Sequence, residues 1–358
     1  MTRLVPVDDR SSGAAVPHHA EFPFSTSGHT GTPAVWLRTE EQLHAETALI
    51  ADAVIGDVDQ VVSFAPREHL FGRLFAEILP ARLDIPVVHV GHDPVGLPPE
   101  VAGRRTLFVC LPSSWLVLRH MLRQVAELPA VVALHGTGPT VPATAQVVDA
   151  LADTGFRAVE LFGSTETGGI AQRRIVGRGT RPAPWTLLPD VEFVDATDEA
   201  DQWLHIRGPR LARRADMAAR PTSWRLPDLV RRVGPRSFEF DGRASALIKV
   251  NGRRCNLEEL STTLRTLVPG LDVACLPVRD PVRAEHYELF YSATGPDPDP
   301  RQVLDRLGAA VADFTPPRAV HRVPLIPRTA TGKIAVAALY AQAVTPTGHD
   351  RRAEVPAR

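Results

Sequence analysis

The chain has 358 residues, 44% hydrophobic and 23% charged, and its 40 Lys and Arg nearly balance 41 Asp and Glu for a formal net charge of −1. That length holds two domains and a sizeable core, and the balanced charge lacks the basic footprint of a nucleic-acid binder. Three cysteines without metal-ligand spacing (Cys110, Cys255, Cys275) argue against a disulfide framework and for a reducing, cytoplasmic setting. No apolar run reaches the ~18 residues of a membrane span, and the N-terminus lacks the charged-then-apolar pattern of a signal peptide.

Residues 1 to about 20 are polar and small and read as an extended arm. From there to about 165, short apolar runs alternate with helix-like stretches. Strands are expected at Gln60–Phe64, Ile85–Val90, Arg105–Leu111, Val131–His135 and Arg157–Phe162; helices are expected over His69–Leu79, 114–127 and 141–154. Such alternation predicts a parallel sheet with helical crossovers. Residues 181–240 change to Pro-punctuated short strands, as at Glu192–Val194 and Trp203–Ile206. After Asp241-Gly242-Arg243 comes a pattern of its own: Leu247–Val250, a helix over Leu257–Leu267, Val273–Val278, Glu288–Ser292 and a helix over Arg301–Ala312. The expected fold is therefore α/β: a large N-terminal domain (1–242) with a parallel β-sheet, helical crossovers and a β-rich subregion, a small α+β C-terminal domain (243–345), and a disordered tail (346–358).

Three distant stretches carry chemistry. Ser25-Thr26-Ser27-Gly28-His29-Thr30-Gly31-Thr32-Pro33 is rich in hydroxyls and glycine. Glycine permits the backbone angles that turn successive amides inward, so such a loop can cradle an anion, although a plain surface turn has the same composition. It is not a Walker A loop, since no Gly-Lys-Ser/Thr follows. Glu166, in Leu161-Phe162-Gly163-Ser164-Thr165-Glu166-Thr167-Gly168, follows an apparent strand, where α/β folds place ligands. Its carboxylate suits Mg²⁺ and the Thr165 hydroxyl suits a phosphate, while the alternative is a helix cap at Ser164 or Thr165. Lys333 lies in Pro327-Arg328-Thr329-Ala330-Thr331-Gly332-Lys333-Ile334 and by itself reads as a solvated lysine.

Together these stretches resemble the adenylate-forming superfamily: acyl- and aryl-CoA synthetases, peptide-synthetase adenylation domains and luciferase. The family's phosphate loop, roughly Thr-Ser-Gly-Ser/Thr-Thr-Gly-x-Pro-Lys, is matched by Thr26–Pro33, and its Tyr-Gly-Ser/Thr-Thr-Glu by Phe162–Glu166. The ribose-binding Thr-Gly-Asp aligns with Leu226-Pro227-Asp228, the hinge Gly-Arg-x-Asp-x-x-Ile-Lys-x-x-Gly with Gly242–Gly252, and the closing Pro-Arg-Thr-x-x-Gly-Lys with Pro327–Lys333. His135-Gly136-Thr137-Gly138-Pro139 takes the place of the turn that packs on adenine, and the likeness covers about residues 22–342.

The resemblance implies roles residue by residue. Thr26, Ser27, Gly28, Thr30 and Gly31 grip the β- and γ-phosphates of ATP; Glu166 holds Mg²⁺; Thr165 contacts the α-phosphate. Gly136, Thr137, Gly138, Phe162 and Gly163 line the nucleotide, and Asp228, with Arg243 nearby, accepts from the ribose hydroxyls. His69, Phe71 and Gly168 line the acid pocket, His69 in a Pro-x-x-His-x-x-Gly segment (Pro66–Gly72). Lys333 bridges carboxylate and α-phosphate as adenylate forms; a mobile C-terminal domain then swings about 243–246 and brings Lys249 in for thioester formation. The implied activity is an AMP-forming acid–thiol ligase that passes an acyl or aryl group to coenzyme A or a carrier-protein phosphopantetheine, with no nucleic-acid or membrane partner.

The chain departs from the pattern at several points. Ala34 stands where the loop usually has Lys, Ser245 replaces the hinge Asp, Pro227 replaces Gly, and His29 is bulkier than the usual Ser or Thr. Only 24 residues precede Ser25, so the expectation is a shortened N-terminal lobe. These departures motivate a second reading, a non-catalytic homologue that binds nucleotide or a carrier protein; a third is an adenylate-forming amide synthetase.

Overall fold

A computed structural model describes residues 20–25, 34–90, 96–194, 202–243, 247–250, 253–268, 270–280, 284–293, 299–310, 316–329 and 332–344. The chain divides into two units, one of residues 1–198, 205–225 and 232–239, the other of 199–204, 226–231 and 240–358.

In the first unit β1 (Glu21–Ser25) and β2 (Val35–Thr39) pair antiparallel, with Ser25 opposite Val35 at the ends that bracket residues 26–34. Helix α1 (Glu40–Ile50) starts at once, because the Thr39 hydroxyl accepts from the Gln42 amide and the Gln42 side chain accepts from the Thr39 amide, each at 3.2 Å. Then come β3 (Gln60–Ser63), α2 (Leu70–Arg73), a π-helical turn at Leu74–Ile78, α3 (Leu79–Leu83), β4 (Val87–His89) and β5 (Thr106–Cys110). Helices α4 (Ser114–Leu118) and α5 (Leu122–Ala126), strand β6 (Val131–His135), helix α6 (Pro142–Ala150), and strands β7 (Phe156–Ser164), β8 (Gly168–Arg174) and β9 (Trp185–Leu187) follow.

Strands β4, β3, β5, β6 and β7 lie side by side in that order, all parallel. Val62, Phe108, Ala133 and Ala158 form one row across four of them and pack with Trp115, Leu118, Val147 and Leu151 of the covering helices. Beyond β7 the sheet turns antiparallel, as β8 pairs with β7 and β9 with β8, so it is mixed rather than wholly parallel. The single helix expected over 114–127 is two short ones, α4 and α5. Strands β10 (Glu192–Phe193) and β11 (Gln202–Arg207) pair, and β12 (Arg213–Arg214) joins β2. They precede β13 (Ser223–Gly234) and β14 (Ser237–Arg243), whose Ser237 and Phe238 pair with β9.

The second unit holds the hairpin β15 (Leu247–Val250) and β16 (Arg253–Asn256), helix α7 (Leu257–Leu267), and antiparallel β17 (Leu271–Asp280) and β18 (Ala284–Ala293). Helix α8 (Pro300–Ala310), strand β19 (Ala319–Arg322), parallel to β18, and helix α9 (Val336–Val344) complete it. Alternation sorts its core: Val273, Cys275, Leu289 and Tyr291 face Leu260, Leu264, Val303 and Leu307, while Ala274 and Phe290 face Leu339. All three cysteines are buried and outside any disulfide. Among the described residues no helix is long and apolar enough to cross a membrane.

His135 ends β6 fully buried. Its Nδ1 accepts from the Trp115 indole N–H at 2.9 Å and its Nε2 donates to the Gly138 carbonyl at 2.9 Å, so the neutral ring ties the following turn to α4. Burial lowers its pKa, against the opposing pull of Glu160 and the Gly138 carbonyl. With the folded pKa below the unfolded value of about 6.5, the neutral ring stabilises the fold above that pH, and the contribution is lost as pH falls toward the folded value. Denaturant titrations between pH 7 and 5 should show stability falling with a slope approaching about 1.4 kcal/mol per pH unit from this residue. His135→Asn, less stable at neutral pH, should show a flatter profile; an unchanged slope would assign the titration elsewhere.

Candidate functional site

Strands β3, β5 and β6 end together, Ser63 opposite Val109 and Cys110 opposite His135, while β7 passes His135 at Glu160 and runs on to Ser164. The segments leaving those C-terminal ends are therefore neighbours, as in other open α/β sheets where ligands bind at this edge. Gly136–Gly138 follows β6, with Thr137 held at φ 72°. A Cβ on Gly136 would stand 2.6 Å from the Phe71 ring, and one on Gly138 would stand 3.2 Å from Pro112. Gly136 and Phe71, separately singled out as nucleotide and acid contacts, thus touch. His69 stands at the N-terminal boundary of α2, where its side chain makes no capping hydrogen bond, and is partly buried. Gly72 is required where it stands, because a Cβ there would overlap the Pro66 carbonyl at 1.9 Å.

Glu166 sits on the turn between β7 and β8, so the alternative reading of Ser164–Glu166 as a helix cap is overturned: antiparallel pairing claims both flanks. The Thr167 amide donates to the Ser164 carbonyl at 3.3 Å, and the Thr167 hydroxyl accepts from the Ser164 amide at 3.2 Å and donates to the Gly168 carbonyl at 2.9 Å. Gly163 packs so tightly on Gly168 that a Cβ would meet its carbonyl oxygen at 2.1 Å. Thr165 and Glu166 project at the crest, partly exposed. Among the described residues no hydrogen bond or ion pair engages the Glu166 carboxylate. Phe162, near the end of β7, belongs to an aromatic group with Trp185 (5.6 Å between centroids) and Phe238 (6.4 Å).

The turn rests on a buried charge network that the sequence reading missed. Glu46 of α1 accepts from the Gly169 amide at 2.7 Å through Oε1, and its Oε2 is paired with Arg38 Nη1 at 2.6 Å. Arg210 lies 3.4 Å from Glu46 Oε1 and forks onto Asp190 at 2.6 and 2.8 Å. Burial lowers the Arg38 pKa, with Glu46 opposing; at Arg210 burial pulls the same way, but Glu46 and Asp190 together hold it above its ordinary value. Arg38 also donates to the Arg210 carbonyl at 2.7 Å, and Gln42 donates to the Pro209 and Leu211 carbonyls at 2.9 and 3.1 Å. Next in line, the Ala212 amide donates to the Glu166 carbonyl at 2.7 Å. One signal was available in the sequence: Glu46 lies three residues after Leu43 and four before Ile50, among the buried positions of its helix.

In the second unit Lys333 is exposed on a turn in which Arg328 bridges Ile334, with Gly332 at φ 81°. The Thr329 amide donates to the Lys333 carbonyl at 2.7 Å, the Thr329 hydroxyl accepts from the Lys333 amide at 3.2 Å, and Arg328 Nη2 clasps Asp272 at 2.7 and 2.8 Å. Lys249 pairs in register with Arg254 in the β15–β16 hairpin, and Arg243 ends β14. Asp228, buried at 3% exposure, lies in the stretch of β13 that belongs with this unit. Thr26, Ser27, Gly28, Thr30 and Gly31 lie outside the described residues, as do His29 and Ser245.

Among the described residues no cluster of three or more His, Cys, Asp or Glu is arranged to hold a metal. A lone, unengaged carboxylate on a turn fits the usual Mg²⁺ mode, in which one or two protein carboxylates act with substrate phosphates.

No protein-family model matches the chain. It is 28% identical over 273 residues to a 4-coumarate–CoA ligase of Rhodobacter capsulatus, an alignment that covers 74% of this chain and 62% of that protein. The chain thus spans about three fifths of the length of that relative. ATP-bound MatB from Rhodopseudomonas palustris superposes with a TM-score of 0.70 at 19% identity, covering 88% of this chain and 67% of the other. Anthranilate CoA ligase AuaEII in complex with anthranoyl-AMP superposes with a TM-score of 0.69 at 18% identity, covering 93% and 69%. The chain thus shares the fold of these structures, and its five ordered motifs resemble those of the adenylate-forming superfamily.

Proposed function

We propose that the chain is an ATP-dependent carboxylic acid ligase that forms an acyl- or aryl-adenylate and passes the acyl group to a thiol, either coenzyme A or a carrier-protein phosphopantetheine. The observation that carries this reading is the placement of lysine. Of 40 cationic Lys and Arg residues only two are lysine, Lys249 and Lys333, and they occupy the two positions the resemblance assigns to the two half-reactions. A guanidinium is a rigid, delocalised fork and an ammonium a compact point charge on a flexible stem. A chain that uses arginine for every other cation keeps lysine at the two places where a point charge is required. A non-catalytic homologue has no reason to make that distinction.

In the first step a carboxylate oxygen of the acid attacks the α-phosphorus of ATP, and the bond to pyrophosphate breaks. Lys333 stabilises the negative charge that builds between the two reactants. Thr165 donates to the α-phosphate, residues 26–31 hold the outer phosphates through amides and hydroxyls, and Asp228 accepts from the ribose hydroxyls. Glu166 holds Mg²⁺, which when bound neutralises charge on the phosphates. The turn Gly136–Gly138, kept in place by neutral His135, offers glycine backbone to the flat face of a base. In the second step the thiol sulfur attacks the acyl carbonyl carbon, AMP leaves, and the thiol proton passes to solvent; Lys249 serves this step. Phe71 beside Gly136, with His69, supports an aromatic or alkyl acid, as do relatives named for 4-coumarate and anthranilate.

Carboxylate-dependent pyrophosphate release from ATP should appear with one class of acid in a panel of aryl, fatty and amino acids. Lys333→Ala and Lys333→Arg should each reduce it by roughly 10²-fold or more, the scale for removing one aimed transition-state charge, while thioester formation from preformed acyl-adenylate survives. Lys249→Ala should do the reverse. Retained release in Lys333→Arg would remove the lysine argument, and silence across the panel with ATP still bound would make the protein a nucleotide binder. Glu166→Gln should raise the Mg²⁺ concentration for half-maximal release sharply with little change in melting temperature, since the side chain is partly exposed and unengaged; an unaltered Mg²⁺ midpoint would make Glu166 structural.

A further inference from the structure

We infer that Glu46 is a positioning residue for Glu166, setting how the Mg²⁺-binding carboxylate is presented; this rests on the ligase reading above. Two routes run from α1 and the end of β2 to the turn. The direct route is Glu46 Oε1 to the Gly169 amide at 2.7 Å. The second runs from Arg38 and Gln42 to the carbonyls of 209–211, and from the Ala212 amide to the Glu166 carbonyl at 2.7 Å. Glu166 is thus gripped by its own carbonyl and, three residues on, at Gly169. The space between is closed. Gly168 adopts φ +72°, and a Cβ there would meet Glu46 Oε2 at 2.3 Å and Arg38 Nη2 at 2.7 Å. The turn therefore packs its glycine directly onto the Arg38–Glu46 pair and leaves Glu166 partly exposed.

Stability alone does not account for this arrangement. A buried ion pair is weak evidence for net stabilisation, because desolvation offsets most of the attraction. What Glu46 adds is direction: a carboxylate that accepts a backbone amide fixes the backbone to which the working carboxylate is attached. Partners of this kind behind a metal ligand typically change metal affinity or activity 10- to 100-fold when removed.

The test uses Mn²⁺ as the probe with ATP, followed by water-proton relaxation enhancement in the full chain, alongside the Mg²⁺ midpoint for pyrophosphate release. Glu46→Gln should weaken Mn²⁺·ATP binding and raise the Mg²⁺ midpoint by about 10-fold or more. Both are read per folded molecule, so a loss of folded protein does not move them. Asp190→Asn removes the other carboxylate of Arg210 without touching the turn; it should lower the melting temperature and leave both midpoints in place. If Glu46→Gln fails to fold, Glu46→Asp keeps the charge beside both arginines, shortens the reach to the Gly169 amide, and should shift the midpoints in the same direction. Midpoints unmoved in the folded Glu46 variant, or moved equally by Asp190→Asn, overturn the inference alone. A wild-type chain without metal-dependent ATP binding or release overturns the ligase reading and this one together.

Discussion

The first unit is organised around a carboxylate that has no solvent. Glu46, at 1% exposure, must be paired on every side, since an isolated buried charge would cost several kcal/mol. Arg38 and Arg210 supply the cations, Asp190 balances Arg210, and the remaining lone pairs take the Gly169 amide. Satisfying that one group requires β2, α1, the 209–212 segment and the β7–β8 turn to meet in a single geometry. Removing any partner leaves a charge uncompensated, so the four segments are held as a set. The candidate site inherits this constraint, because α1 follows directly from the strand that leaves residues 26–34 and ends against the turn that carries Glu166.

The sheet provides the other half of the site. Parallel neighbours run in the same direction, so the turn after β6 and the longer β7 with its turn leave the sheet at the same edge. The switch to antiparallel pairing at β8 allows Glu166 to sit on a tight turn instead of a helix N-terminus. A helix there would have supplied amides aimed at an anion; the hairpin instead presents a carboxylate, which suits a cation held between protein and phosphate. On the neighbouring strand, His135 acts in a comparable way. Its two ring nitrogens are both used, one accepting and one donating, so the turn after β6 depends on the ring remaining neutral.

The second unit shows how a lysine is displayed rather than buried. Arg328 clasps Asp272, and Thr329 closes the loop on both sides of Lys333, which leaves the ammonium stem exposed at a fixed turn. Arginine and threonine do the structural holding at this turn. Among the described residues the ion pairs are built from arginine, apart from those of His44 with Glu40 and His321 with Glu288.

Periodicity alone located β3, β5, β6, α7 and, in the second unit, β15, β17 and β18, because their apolar residues recur at the spacing of the element and burial enforces it. The motifs from Thr26 to Lys333 were also legible, since glycine, hydroxyl and charged residues at set intervals need no partner to be noticed. What only the tertiary structure decided lies in pairings across long separations. Nothing local in Ser164–Glu166 distinguishes a helix cap from a hairpin until β8 pairs back onto β7. Arg38, Glu46, Asp190 and Arg210 look like ordinary surface charges until folding removes the water around them, and a charge becomes an organising centre only when its solvent is gone. The sequence by itself marked which residues are candidates for the chemistry, while the tertiary structure decided which residues hold them, because desolvation and hydrogen-bond satisfaction are properties of the folded neighbourhood and not of spacing along the chain.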